Sequence, residues 1–242
     1  MSKQQEIIAM FDDIAGSYDL TNRVMSCGID IAWRKIACKQ AFKNLSKNQG
    51  LEIADIACGT GDMISHWQKN AQKESIEIQS IVGLDPSEGM LSVARKKMPE
   101  ICFMQCEATK LPLESESKDI LSIAYGIRNV VEREKALNEF ARVLKKDGIL
   151  VILEFTKCEN PSFAERLMGF YTKNILPFVG GILSRNYRAY RYLPDSIEEF
   201  LTTDKLSFEL SKAGFKTLYT KAFSAGVCTL FIAKNCSYIN KT

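Results

Sequence analysis

The stretch Asp55-Ile56-Ala57-Cys58-Gly59-Thr60-Gly61-Asp62 combines two glycines with flanking carboxylates. Glycines let a backbone turn sharply and approach a ligand closely. A helix opening behind them offers unpaired N–H groups. Two further acidic positions follow, Asp85 and Glu107-Ala108, each at the end of an apolar run. A carboxylate at the end of a second strand can accept bonds from both hydroxyls of a ribose. One at the end of a third strand can accept an exocyclic adenine amine. Singly, each acid reads as a solvated strand end. Three successive strand ends with this chemistry read as a nucleoside site.

The glycines also say which nucleoside. A dinucleotide fingerprint is G-x-G-x-x-G. Here Gly61 is followed by Asp62-Met63-Ile64, so the third glycine is missing. Asp62 would also place negative charge beside a diphosphate. S-adenosyl-L-methionine carries no phosphate; it carries an ammonium and a sulfonium. Asp55 and Asp62 are sensible neighbours for that cofactor, with Gly59, Thr60 and Gly61 forming the loop against it.

Such groups need a scaffold. Short apolar runs at 51–57, 78–84, 101–106, 119–125 and 149–155 read as buried parallel strands. Helical patterns at 62–72, from Pro86-Ser87 to Lys97, and at 132–145 separate them, the last stopped by Asp147-Gly148. The C-terminus adds a helix to about Ala213 and strands at 215–223 and 227–234, spaced closely enough for an antiparallel hairpin. The pattern predicts an α/β fold: a doubly wound, mostly parallel seven-stranded sheet with an antiparallel C-terminal hairpin and helical additions. Ligands bind such sheets at the carboxyl ends of the strands, beside the switch in strand order.

Two regions break the rhythm. Residues 1–48 read as a helical N-terminal extension. Residues 156–205 are aromatic and basic, with Pro177, Gly180 and Gly181 as interruptions, and read as a helical insertion over the site mouth. The chain has 242 residues and is 46% hydrophobic, which suits one domain spanning 1–242. A net charge of +3 speaks against a nucleic-acid partner and leaves room for weak attraction to an anionic membrane surface. Eight cysteines without C-x-x-C spacing argue against a zinc site and read as small buried hydrophobes. No segment is long and apolar enough to span a bilayer, and no targeting peptide is evident. A cytoplasmic chain, peripheral at most on the inner face of the cell membrane, is expected.

Longer motifs resemble a known family. D-x-x-C-G-T-G-D with Asp85 and Glu107-Ala108 is similar to the class I methyltransferase pattern. Residues Tyr18 to Ile29, reading YDLTNRVMSCGI, followed by Trp33-Arg34, resemble the N-terminal signature of the ubiquinone/menaquinone biosynthesis C-methyltransferases. Tyr125-Gly126-Ile127-Arg128-Asn129-Val130 resembles their stretch after strand four. Arg142 to Gly148, continuing to Leu153-Glu154-Phe155, resembles their second signature, and Tyr192-Leu193-Pro194-Asp195-Ser196-Ile197 a later one. The resemblance covers roughly residues 9 to 233. It departs where the family usually has Met for Thr21, His for Asp30, Lys-Pro-Gly-Gly for 145–148, Ser for Ala124, and Asn or Asp for Glu107.

The resemblance implies a Rossmann-like methyltransferase that methylates a ring carbon of a prenylated quinol; the short N-terminus without a transit peptide and the length favour demethylmenaquinol over a ubiquinone-pathway benzoquinol. It implies that Arg128 and Asn129 act at the transfer point and that Tyr18 and Asp19 close over the cofactor. It also implies a greasy channel in 156–205 for the prenyl tail, with Arg185, Arg188 and Arg191 facing headgroups. His66, the only histidine, reads as a surface helix residue, and no metal cluster is expected. Homodimer formation stays open. The competing readings are another methyltransferase on this fold, a non-catalytic S-adenosylmethionine-binding subunit, and a nicotinamide oxidoreductase.

Overall fold

The computed structural model describes residues 1–158, 163–175, 178–181 and 186–237. Three helices come first: α1 (Lys3–Ile14), α2 (Tyr18–Met25) and α3 (Ile29–Asn44). Alternation then begins with β1 (Leu51–Ile56), α4 (Asp62–Glu74), β2 (Ile78–Asp85), α5 (Glu88–Lys97) and β3 (Cys102–Gln105). It continues through β4 (Lys118–Ala124), a 3-10 turn at Ile127–Asn129, α6 (Arg133–Val143) and β5 (Leu144–Phe155). The region that breaks the rhythm holds α7 (Phe163–Phe170), a π-helical turn (Tyr171–Ile175) and α8 (Tyr187–Glu199). The chain closes with α9 (Thr203–Lys212), β6 (Phe215–Phe223) and β7 (Cys228–Asn235).

The seven strands form one sheet in the order β3-β2-β1-β4-β5-β7-β6. The first five run parallel. β7 inserts antiparallel between β5 and β6 as the hairpin requires. Strand order reverses between β1 and β4, and their carboxyl ends open the crevice where ligands bind.

Side-chain alternation divides the core between the two faces. On one face Ile53, Ile64, Trp67 and Phe103 pack with Trp33, Ala37 and Phe42 of α3. On the other, Ile56, Leu121 and Phe231 pack with Leu137 and Phe140 of α6 and Leu206 and Leu210 of α9. A third, smaller cluster joins Ile14 of α1, Met25 of α2, Met90 of α5 and Tyr190 of α8. Helices α1 and α2 are therefore anchored by this third cluster, while α3 packs on the sheet face.

Three expectations are corrected. The helix expected over 132–145 ends at Val143, and β5 starts at Leu144, with Asp147-Gly148 inside the strand. Asp147 takes φ 64° there, and the β4–β5 register shifts between Lys118 and Ile120. The pair lies in a register irregularity between β4 and β5, not at a helix stop. Second, Cys38, Cys58 and Cys228 are buried, but Cys27, Cys102 and Cys158 are exposed. Cys102 lies in an apolar run, yet on the edge strand β3 it is Phe103 that turns inward. Third, His66 is half-buried, and burial pushes its imidazole down to about 4.

Candidate active site

The turn after β1 is built from left-handed backbone: Ala57 at φ 49°, Gly59 at 55° and Gly61 at 86°. Gly61 suits its place because φ 86° is a conformation that side-chain-bearing residues rarely adopt, and a Cβ there would also press on the flexible end of Met98. Leu84 O accepts Cys58 N at 3.0 Å, which ties the turn to β2. Asp85 then binds both flanks: Oδ2 accepts Gly59 N and Oδ1 accepts Ser87 N, each at 2.8 Å. Burial pushes the Asp85 carboxyl up to about 6 against those two bonds, and Asp12 adds to the rise.

Beneath the turn lies Asp55, 1% exposed. Its Oδ1 accepts Ser122 Oγ at 2.6 Å, and Ser122 Oγ accepts Trp67 Nε1 at 3.0 Å. Its Oδ2 is buried without a partner. Desolvation raises its carboxyl to about 7, Asp85 adding and Ser122 and Arg34 opposing. An orphaned, half-titrated carboxylate of this kind marks a place where a cation is wanted.

The N-terminal helices close the strand ends. Asp12 Oδ1 accepts Ser87 Oγ at 2.6 Å and Gly89 N at 2.9 Å, latching α1 to the start of α5. Asp19 accepts the Thr60 hydroxyl and also Lys97 Nζ at 2.7 Å. Asp62 pairs with Arg23 at 3.0 Å and Lys97 at 3.4 Å. The Thr60 and Asp62 side chains are thus spent on holding α2 against the glycine turn.

Two cavities open from this framework. The first is narrow, about 80 Å³, and is walled by Tyr18, Gly59, Asp85, Glu107, Ala108 and Asn129 among others, with α1 overhead. The second is about 710 Å³ and mostly apolar, with Met10, Ile14, Met25, Trp33 and Phe155 in its wall beside the polar Asp30, Arg34, Arg128 and Tyr192. Phe11, Tyr18 and Tyr125 line both, so the cavities meet there. Tyr125 stands at φ 59°, a conformation that bulky residues seldom adopt and that clusters at functional sites. Its ring stacks on Phe155, centroids 5.0 Å apart.

Of the residues marked in the sequence, Tyr18, Gly59, Asp85, Glu107, Ala108 and Asn129 come together in the first cavity, and Arg128 in the second. Asp55, Thr60, Gly61 and Asp62 sit behind the turn, outside either wall. Arg128 is buried with Glu154: Nη1 donates to Glu154 Oε1 at 2.6 Å and to the Tyr125 carbonyl at 2.7 Å, and Nε to Ser196 Oγ at 3.3 Å. Glu154 is fully buried, and desolvation holds its carboxyl above the usual range against Arg128. Asn129 Oδ1 accepts Tyr192 OH at 3.0 Å. Sequence reasoning missed Glu154 as the partner of Arg128, and it missed the Arg23–Asp30–Arg34 cluster. The signal for the first was an acid near the end of the strand beside β4; for the second, Asp30 and Arg34 stand four apart on one helix.

Known proteins agree with this geometry. Residues 1–235 match the ubiE/COQ5 methyltransferase family. The chain is 57% identical over 234 residues to the ubiquinone/menaquinone biosynthesis C-methyltransferase UbiE of Campylobacter jejuni, covering 97% of this chain and 99% of the relative. It is 35% identical over 229 residues to the demethylmenaquinone methyltransferase of Thermotoga maritima, 95% and 96% being covered. Among solved structures, a SAM-dependent methyltransferase from Aquifex aeolicus shares the fold, with a TM-score of 0.56 at 17% identity over 82% of this chain and 89% of that one. One from Mesorhizobium loti does so with 0.57 at 16% identity, over 81% and 96%. With family, fold and strand-end chemistry in agreement, the chain belongs to the ubiE/COQ5 methyltransferase family and takes its methyl group from S-adenosyl-L-methionine.

Proposed function

We propose that this enzyme methylates a ring carbon of a prenylated quinol, demethylmenaquinol to menaquinol first, with a ubiquinone-pathway benzoquinol as the second reading. The observation that carries it is the junction of a narrow polar cavity with a large apolar one at Tyr18 and Tyr125. The ubiquinone/menaquinone biosynthesis C-methyltransferase and the demethylmenaquinone methyltransferase among the relatives support the same substrate class.

The residues fit the cofactor. Asp55, behind the glycine turn and with no other partner for its Oδ2, supplies the negative charge that draws an ammonium toward the turn. Gly59 and Gly61 let the backbone come close, Asp85 retains lone pairs for ribose hydroxyls, and Glu107 with Ala108 faces the adenine. Thr60 and Asp62 hold the loop, and Tyr18 covers it. When bound, the cofactor supplies an electrophilic methyl on a positively charged sulfur. The chain aligns the ring carbon with that methyl, excludes water through α1 and α2, and assists loss of the phenolic proton. Arg128, fixed by Glu154, holds a ring hydroxyl or the water that takes its proton, and Asn129 positions the ring oxygen.

Among the described residues no helix is long and apolar enough to cross a membrane. We assign the exposed apolar residues Leu20 and Val24 of α2, Ile29 of α3, and Phe163 and Phe170 of α7 to contact with a membrane surface. Arg191 is exposed as a headgroup contact would require; Arg185, the Arg188 side chain and Pro177 lie outside the described residues. Incubation with labelled S-adenosylmethionine and reduced demethylmenaquinone, or a reduced demethylated benzoquinone, tests the proposal. Label in a quinol supports it and names the pathway; cofactor binding with label in neither refutes it.

A further inference from the structure

Arg34 has a buried nitrogen with no acceptor. The residue is 7% exposed, sits in the wall of the large cavity, and its Nε finds no hydrogen-bond partner. Its guanidinium carbon lies 5.0 Å from the centroid of the Tyr125 ring, the residue that lines both cavities. A structural ion pair alone does not explain this. Arg34 Nη1 does bond Asp30, but Asp30 Oδ2 also accepts Arg23 at 2.8 Å and Oδ1 accepts Ser26 Oγ at 2.6 Å. The carboxylate is shared between two cations, and Arg34 Nε remains unused. Arg128 is the contrast: its Nε–H and both Nη1 protons are donated, and Glu154 compensates its charge in the same buried spot. An unpaired buried N–H in the wall of the large cavity, against the tyrosine where the two cavities meet, is available for charge that appears only during the reaction.

Resting on the quinol reading, we propose that Arg34 is a further catalytic residue, its Nε–H receiving the ring oxygen as negative charge develops there. Arg34 keeps its own proton throughout. The phenolic proton leaves to solvent and the ring carbon takes the methyl as the methyl–sulfur bond breaks. The hydrogen on that carbon then returns as a proton to the oxygen. Arg34 is faced by Asp30 of its own helix, Arg23 and Tyr18 of α2, Asp62 and His66 of α4, Asp55 of β1, Tyr125, and Cys228 of β7. Of these, Asp55 titrates near neutrality, at about 7, behind the glycine turn of the cofactor site. A profile taken at saturating cofactor isolates the phenol.

The test is turnover against pH for wild type, Arg34→Gln and Arg34→Lys on the reduced quinone, with cofactor affinity measured separately. Arg34→Gln should lose about 10²-fold in turnover while still binding cofactor. Its ascending limb should move up by about one pH unit or more, because a phenol deprived of a facing cation ionises later. Arg34→Lys should restore the limb and most of the turnover. Because Arg34→Gln leaves Asp30 short of a partner, the double variant Asp30→Asn/Arg34→Gln keeps the experiment readable where the single fails to fold. An unmoved limb in a folded Gln variant, or equal losses in Gln and Lys with both limbs unmoved, overturns the inference alone. Wild type that labels no quinol overturns the quinol reading and this inference with it.

Discussion

Cofactor affinity should rise with pH through neutrality because the Asp55 carboxyl, behind the glycine turn, must ionise to attract an ammonium there. Burial leaves its pKa at about 7 in the cofactor-free protein. Its ionised fraction climbs from about one tenth at pH 6 to about nine tenths at pH 8, so the dissociation constant should fall about tenfold, worth about 1.4 kcal/mol. Asp85, at about 6, steepens the lower part of that range. Stability of the free protein follows the opposite sign. A carboxyl whose folded pKa is raised contributes most below its ordinary value of 3.8 and loses that contribution as pH rises through about 7. The loss amounts to about 4 kcal/mol over those three units, and the thermal shift on adding cofactor should therefore grow with pH. Calorimetric titration at three pH values provides the assay, run with S-adenosylmethionine and with an analogue lacking the amino group. The natural cofactor should show the slope and the analogue should not, and Asp55→Asn should abolish it. Equal slopes for both ligands, or none for either, would refute the assignment of Asp55 to the ammonium.

Three further outcomes follow. Glu154→Gln strands a buried guanidinium, so stability should fall by about 3–5 kcal/mol and the melting temperature by roughly 6–20 °C; a melt within a degree or two of wild type would show that the pair is not what holds Arg128. Arg128→Ala should leave cofactor affinity nearly unchanged and cut turnover about 10²-fold; unchanged turnover removes Arg128 from the mechanism. Gly126→Ala places a Cβ 2.5 Å from Ala57 Cβ, so it should displace the Tyr125–Asn129 turn and weaken cofactor binding, measurable in the same titration; wild-type affinity would show that the turn can give way freely.

Strand ends were legible because apolar runs bounded by Gly59, Asp85 and Glu107 report local chemistry. The third of the β1 signals, Asp62, has its carboxylate committed to Arg23 and Lys97, a tertiary pairing that spacing cannot show. The start of β5 was misread for a similar reason. Leu144 continues the apolar helical spacing of α6 and is fully buried, but its backbone pairs with Lys118 of β4. Periodicity reports burial and not which ladder satisfies the backbone. Arg128 was visible as a motif, whereas its partner Glu154 lies 26 residues further along the chain. Arg34 was visible only as part of a resemblance, since its unused Nε appears only once α3 is packed against the Tyr125 turn.

The most direct measurement of the central claim is the fate of a labelled methyl group offered with demethylmenaquinone in its reduced and its oxidised form. The account predicts label on a ring carbon of the reduced substrate and little on the oxidised one, which has no phenolic proton to lose. Label on an oxygen, or equal label in the oxidised form, would contradict it.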